Sequence, residues 1–91
     1  MGVLVKIPIP FGSCTNGQSE VQVDGNTVQK VLESLNTIHA GVIEKICDES
    51  GNPRPFVNLY LNERDIRSME GLETKVHDGD RVSIIPAISG G

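Results

Sequence analysis

The chain has 91 residues and a mass of 9.8 kDa, enough for one domain and no second core. Hydrophobic residues make up 37% and charged residues 22%, which excludes a disordered tail. Twelve acidic against eight basic residues give a net charge of −4 with no basic stripe, which argues against nucleic acid and anionic membrane as partners and suits docking onto a basic protein patch.

Residues 2–9 read as the first strand, with Val3, Val5, Ile7 and Ile9 on one face and Leu4 and Lys6 on the other. Lys6, Pro8 and Pro10 make this stretch too short and too broken for a signal peptide or a membrane span. Lys6 also stands where a myristoylation motif after Gly2 wants Ser or Thr. Residues 11–19 form a loop, punctuated by Gly12, Asn16 and Gly17. Residues 20–23 are a short strand with Val21 and Val23 buried, and Asp24-Gly25-Asn26 turns the chain. A helix over 27–36 follows, with Thr27 or Asn26 as its N-cap. Its stripe is Val28, Val31, Leu32 and Leu35.

Residues 41–48 are expected as a shorter helix with Val42, Ile43 and Ile46 inward. Residues 49–55, with Gly51, Pro53 and Pro55, are an internal loop. Residues 54–62 are the clearest strand: Val57, Leu59 and Leu61 point one way, and Phe56, Asn58, Tyr60 and Asn62 the other. Residues 62–65 turn, Ile66-Arg67 return as an edge, and 72–76 fit either state. His77-Asp78-Gly79-Asp80 turns into the last strand, 81–86. The order ββα, short helix, ββ lacks the alternation of a doubly wound parallel sheet. It predicts an α+β fold: a four- or five-stranded mixed sheet packed on one main helix. The first and last strands carry the strongest buried runs and are expected to be adjacent and parallel.

Little in the chain supports catalysis. Cys14 and Cys47 lie far apart with no CxxC, which disfavours zinc, iron–sulfur and thioredoxin-type chemistry; both read as reduced thiols in a cytoplasm. His39 meets Cys47 only if the intervening turn folds back, and no third orienting group is evident. His77, Asp78 and Asp80 hint at a metal, but Asp-Gly-Asp is first a turn signature, and Asp48 and Glu49 read as solvated. The phosphate-cradling Gly and Lys-Ser/Thr spacing is absent.

The unusual feature is the last segment, Pro86-Ala87-Ile88-Ser89-Gly90-Gly91. A terminal Gly-Gly arises by chance about once in 200 chains, a weak signal alone. Yet a terminal carboxylate must be activated before it reacts, for example as a mixed anhydride with AMP. A tail entering a narrow channel for that purpose benefits from residues without Cβ. Pro86 cannot donate to a ladder, so it ends the strand and releases the tail.

Phe56-Val57-Asn58-Leu59-Tyr60-Leu61-Asn62, then Asp65-Ile66-Arg67, Gly71-Leu72, Asp78-Gly79-Asp80, Val82-Ser83-Ile84-Ile85-Pro86 and Gly90-Gly91 resemble the MoaD/ThiS family of ubiquitin-like sulfur carriers. The resemblance covers nearly the whole chain. It is strongest to the CysO-type, MoaD-related branch; Ala87 stands where MoaD proper has a second Pro, whereas Ser89 is MoaD-like. The resemblance implies a β-grasp domain over 1–86, a flexible Gly-Gly tail over 87–91, and a carrier rather than an enzyme. It implies that Gly91, presented by Gly90, is adenylated by an ATP- and Mg²⁺-using MoeB/ThiF-like partner and converted to a thiocarboxylate. In this branch the sulfur passes to a PLP-dependent cysteine synthase, and a zinc metallopeptidase releases the cysteine; the carrier itself binds no cofactor. The alternatives are the small subunit of molybdopterin synthase and a protein modifier conjugating Gly91 to lysines. In a β-grasp sheet the first and last strands are central and the third flanks the last. Leu4, Phe56, Tyr60 and Ile85 then face away from the helix as one apolar patch for partner docking, with Ile88 of the tail.

Overall fold

The computed structural model describes residues 2–7, 17–55 and 57–86. Its elements are β1 (Val3–Lys6), β2 (Glu20–Val23), α1 (Val28–Ile38), α2 (Val42–Ile46), β3 (Val57–Leu61), β4 (Arg64–Asp65) and β5 (Arg81–Pro86), with single 3₁₀ turns at Ile66–Ser68 and Gly71–Glu73. One five-stranded sheet has the order β2-β1-β5-β3-β4. β1 and β5 run parallel at its centre, with Val5 opposite Val82, and the other neighbours pair antiparallel.

Period-two alternation gives the sheet one dry face. Val3, Val5, Val21, Val23, Val57, Leu59, Leu61, Val82 and Ile84 are buried beneath the helices. α1 covers them with the expected stripe Val28, Val31, Leu32 and Leu35, none more than 1% exposed. Thr27 is the N-cap, its Oγ1 accepting from the Lys30 amide at 3.1 Å. The helix enters so close to the preceding turn that a Cβ on Gly25 would lie 2.7 Å from the Val31 nitrogen. α2 is shorter than the expected 41–48. Gly41, at φ 96°, precedes it, and Cys47 is already extended.

Gly2 and Ile7 lie outside β1, which is narrower than the expected 2–9, and three further boundaries differ from expectation. α1 continues two residues beyond Asn36, and its end is closed by His39 N–H donating to the Leu35 carbonyl. β3 starts at Val57 rather than Arg54, because Arg54 N–H donates to the Ile46 carbonyl and Pro53 bridges to Cys47, which hold the loop against α2. The edge strand is Arg64–Asp65, not Ile66-Arg67. Asn62 and Glu63, at φ 51° and 80°, make a two-residue turn that sets Arg64 opposite Leu61 at once. Asp65 Oδ1 then accepts from the Arg67 amide at 2.8 Å, which winds a 3₁₀ turn and buries Ile66 to 2% exposure. The unassigned 72–76 stretch holds the other 3₁₀ turn and a bridge from Lys75 to Thr27. Predicted strand residue Ile9 lies outside the described residues.

Candidate functional site

The wet face of the sheet is built from alternate positions of its three central strands. Leu4 comes from β1, Asn58 and Tyr60 from β3, and Arg81, Ser83 and Ile85 from β5. Leu4 and Tyr60 are half-buried and Ile85 is 45% exposed. The expected Leu4, Tyr60 and Ile85 therefore share one face, away from α1. They are not neighbours in the pairing, however. Leu4 lies opposite Arg81, Tyr60 opposite Ser83, and Ile85 opposite Asn58. Among the described residues the face is a mosaic of apolar and polar side chains, because two of the three outward positions of β5 are Arg81 and Ser83.

A polar cluster at the edge of this face was missed in the sequence. Arg67 Nη2 donates to Asp65 Oδ2 and to Asn58 Oδ1, both at 2.8 Å, and Nε lies 3.2 Å from Asp65 Oδ1. These bonds from the Arg67 side chain, then its amide, hold the Asp65 carboxyl below the usual carboxylate range. The available signal is an Asp two residues before an Arg, a local cap, whereas the sequence reading ends a turn at Asp65 and sets Arg67 on an edge strand.

β5 leads to the tail. Among the described residues its pairing with β1 runs from Arg81 to Ser83, and β3 pairs with Ile84, Ile85 and Pro86, with Pro86 opposite Val57. Gly90, Gly91, Ile88, Phe56 and Cys14 lie outside the described residues.

The other candidates resolve as local structure. Asp80 accepts from the His77 amide at 2.8 Å and from Asn62 Nδ2 at 3.0 Å, Gly79 sits at φ 90°, and His77–Asp80 is a turn. Asp48 Oδ1 accepts from the Ser50 and Asn52 amides, which makes it a loop cap. His39 Nε2 lies 3.1 Å from Gln18 Oε1, and Cys47 is a free, buried thiol. Among the described residues no group of three or more His, Cys, Asp or Glu is placed to hold a metal, and no helix is long and apolar enough to cross a membrane.

A mixed five-stranded sheet with its parallel first and last strands at the centre, a main helix across one face, and the final strand leading into Gly-Gly defines a ubiquitin-like β-grasp protein. The ThiS family model matches residues 5–91, and the chain belongs to that family. It is 40% identical to the sulfur carrier protein CysO of Mycobacterium tuberculosis, with 100% of each chain covered. Its structure is similar to a chain of the crystallised BexX/CysO complex of Amycolatopsis orientalis, at a TM-score of 0.93 and 36% identity over 99% of this chain and 100% of that one. It is also similar to the small archaeal modifier protein 1 of Methanosarcina acetivorans, at a TM-score of 0.82 and 32% identity over 98% and 95% of the two chains.

Proposed function

We propose that this chain is a sulfur carrier, not a catalyst, and that the α-carboxylate of Gly91 carries the sulfur. Full-length identity of 40% to a sulfur carrier protein is the observation that carries this reading. The family match running through Gly91 supports the assignment of the tail. The chemistry needs two displacements. The Gly91 carboxylate oxygen attacks the α-phosphorus of ATP on an adenylating partner of the MoeB/ThiF type, releasing pyrophosphate. Sulfide then attacks the acyl carbon, a C–S bond forms, the C–O bond to AMP breaks, and a thiocarboxylate remains; with a persulfide donor the product is an acyl disulfide, which a donor thiol cleaves to the thiocarboxylate while itself forming a disulfide with the donor sulfur. The protein is thus the substrate of covalent catalysis carried out elsewhere.

The domain's part is presentation. β5 is paired with β1 through Ser83 and with β3 through Pro86, so the tail is launched from a strand of the sheet. Five residues beyond it span at most about 17 Å when extended. That reach lets Gly91 enter a deep site while the wet sheet face, with Leu4, Tyr60 and Ile85, rests on the partner's surface, and Gly90 and Gly91 pass a narrow channel without side chains. Phe56 and Ile88 belong to the same docking set. A carrier of this kind works with partner proteins, as the CysO of the BexX/CysO complex does with BexX. We assign the acceptor to cysteine biosynthesis in the cytoplasm, through a PLP-dependent cysteine synthase and a zinc metallopeptidase. ATP, Mg²⁺, PLP and zinc reside on those partners. The similarity to a small archaeal modifier protein favours a second reading, in which Gly91 forms isopeptide bonds with lysines.

The test is intact-protein mass spectrometry after incubation with the cognate adenylating enzyme, ATP and a sulfur source. The chain should gain the mass of one oxygen-to-sulfur exchange, confined to its C-terminal peptide. Deleting Gly91, or appending a residue to it, should abolish the gain, because near-attack geometry tolerates little displacement. An extended chain that gains the mass without being trimmed would overturn the reading. Higher-mass conjugates on lysines would favour the modifier instead.

A further inference from the structure

On the helix side of the sheet, a groove runs between α1, α2, the loop 48–54 and the 3₁₀ turn Gly71–Glu73. Two cavities of about 380 and about 460 Å³ lie along it and share Gln29, Gly51 and Leu72. The floor of the first is apolar: Leu32 and Cys47 from the core, with half-exposed Ile43 and Leu72 packed against it. The rim is acidic. Of the chain's 12 acidic and 8 basic side chains, six and two line the groove, which leaves six and six over the rest of the molecule. The whole net charge of −4 therefore faces one groove, and the remaining surface is balanced.

The two groove guanidiniums offset only two of the six rim carboxylates, and Lys30 pairs with a third, Glu33, at 3.7 Å. Arg54 donates Nε and Nη2 to the Glu44 carbonyl at 3.0 and 2.8 Å, and Arg67 is engaged by Asp65 and Asn58. The carboxylates of Glu44, Glu49, Glu70 and Glu73 take no hydrogen bond or ion pair among the described residues. The walls are also held in place. Asp48 caps the loop through Ser50 and Asn52, Pro53 bridges to Cys47, and Arg54 ties the loop to α2. A preformed site loses little ordering entropy on binding.

We propose that this groove docks a basic amphipathic segment of a partner protein, with aliphatic side chains on the Leu32, Ile43 and Leu72 floor and Lys or Arg flanks toward Glu44, Glu49, Glu70 and Glu73. The charge selects a basic partner, and the apolar floor separates docking from diffuse attraction of cations. Leu4, Tyr60 and Ile85 lie on the opposite side of the sheet, so a segment seated here leaves the wet face free. The carrier can be held by one protein while it presents its tail to another. This inference does not depend on the chemistry assigned to Gly91.

The experiment uses the ¹⁵N-labelled full chain and a short synthetic peptide of leucine and lysine with helical periodicity. Control peptides replace every leucine by serine, or every lysine by glutamate. The leucine–lysine peptide should bind saturably, with amide shifts centred on Leu32, Ile43, Cys47 and Leu72, and weaken as salt rises. Neither control should saturate at those amides. The exposed double variant Glu44→Lys/Glu49→Lys, its fold checked by circular dichroism, should lose about tenfold or more in affinity. No saturable binding, shifts centred on Tyr60 and Ile85, equal binding of the serine control, or unchanged affinity of the double variant would each overturn the proposal. Self-association of the free chain abolished by the same variant would give the groove to a second copy, and overturn it equally.

Discussion

Cys47 shows how its surroundings decide what a residue can do. Burial first, and then the neighbouring Asp48 carboxylate, push its thiol above the ordinary range, against the opposing pull of Arg54. The thiolate is the nucleophile, so this is a poorly reactive cysteine. Cys47→Ser should leave sulfur loading unchanged by intact mass. It should also lower the melting temperature, because a hydroxyl in that apolar site costs about 1 kcal/mol. Loss of loading in the folded variant would make the thiol a participant. Thr27 carries the opposite lesson, since its role lies in one local bond. Thr27→Ala removes the Oγ1 acceptor of the Lys30 amide and should cost about 1 kcal/mol, read as a lower urea midpoint at unchanged slope. Residue type alone allowed Asn26 or Thr27 as the cap. Long-range bonds decide, because the Asn26 carbonyl accepts from the Val76 amide and Thr27 bridges to Lys75.

Among the elements, the β3–β4 hairpin is tied to the turn before β5 by side-chain hydrogen bonds. Asn62 Oδ1 accepts from the Arg81 amide at 2.9 Å while its Nδ2 donates to Asp80, which also closes the 77–80 turn. The His77 amide and then the Asn62 side chain hold the Asp80 carboxyl below its usual range, as Arg67 does for Asp65. A carboxyl depressed in the folded state binds fewer protons there than in the unfolded chain. Its stabilisation is complete above the unfolded value of about 4 and is lost as pH falls through the folded value. Urea midpoints should therefore be flat near neutrality and drop below about pH 4. Asp80→Asn keeps one acceptor but sets an amide against Asn62 Nδ2. It should cost about 1 kcal/mol at pH 7 and make the acid loss shallower. An identical acid limb in variant and parent would remove Asp80 from the account.

For the whole molecule, the sheet separates two surfaces of different character: a mosaic wet face, and an acidic groove on the helix side. Tyr60→Asp and Ile85→Asp alter the wet face without touching the buried side. Each should weaken binding to the adenylating partner well over tenfold by calorimetry, since an interface anchor is commonly worth ~2 kcal/mol or more. Ile85 is the cleaner site, because Asp at 60 would also stand opposite Asp65. Unchanged affinity in both folded variants would take these residues out of the interface.

The sequence by itself determined what short-range periodicity encodes. Alternating Val21 and Val23, and Val82 and Ile84, specify β2 and β5 to the residue, and the i, i+3, i+4, i+7 stripe specifies α1 up to its last two residues. Apolar runs at both ends, together with the family motifs, specify the central parallel pair. The tertiary structure alone decided where those patterns stop. Ile66 leaves the edge strand because it is drawn into the core while Asp65 caps its turn, and Arg54 leaves β3 because its amide donates to the Ile46 carbonyl of α2. It alone gathered carboxylates from α1, α2, the 48–54 loop and the 70–73 segment around one groove. Periodicity is a property of neighbours along the chain, whereas charge complementarity is set by distance in space, and residues from Gln29 to Glu73 become neighbours only when the helices settle on the sheet.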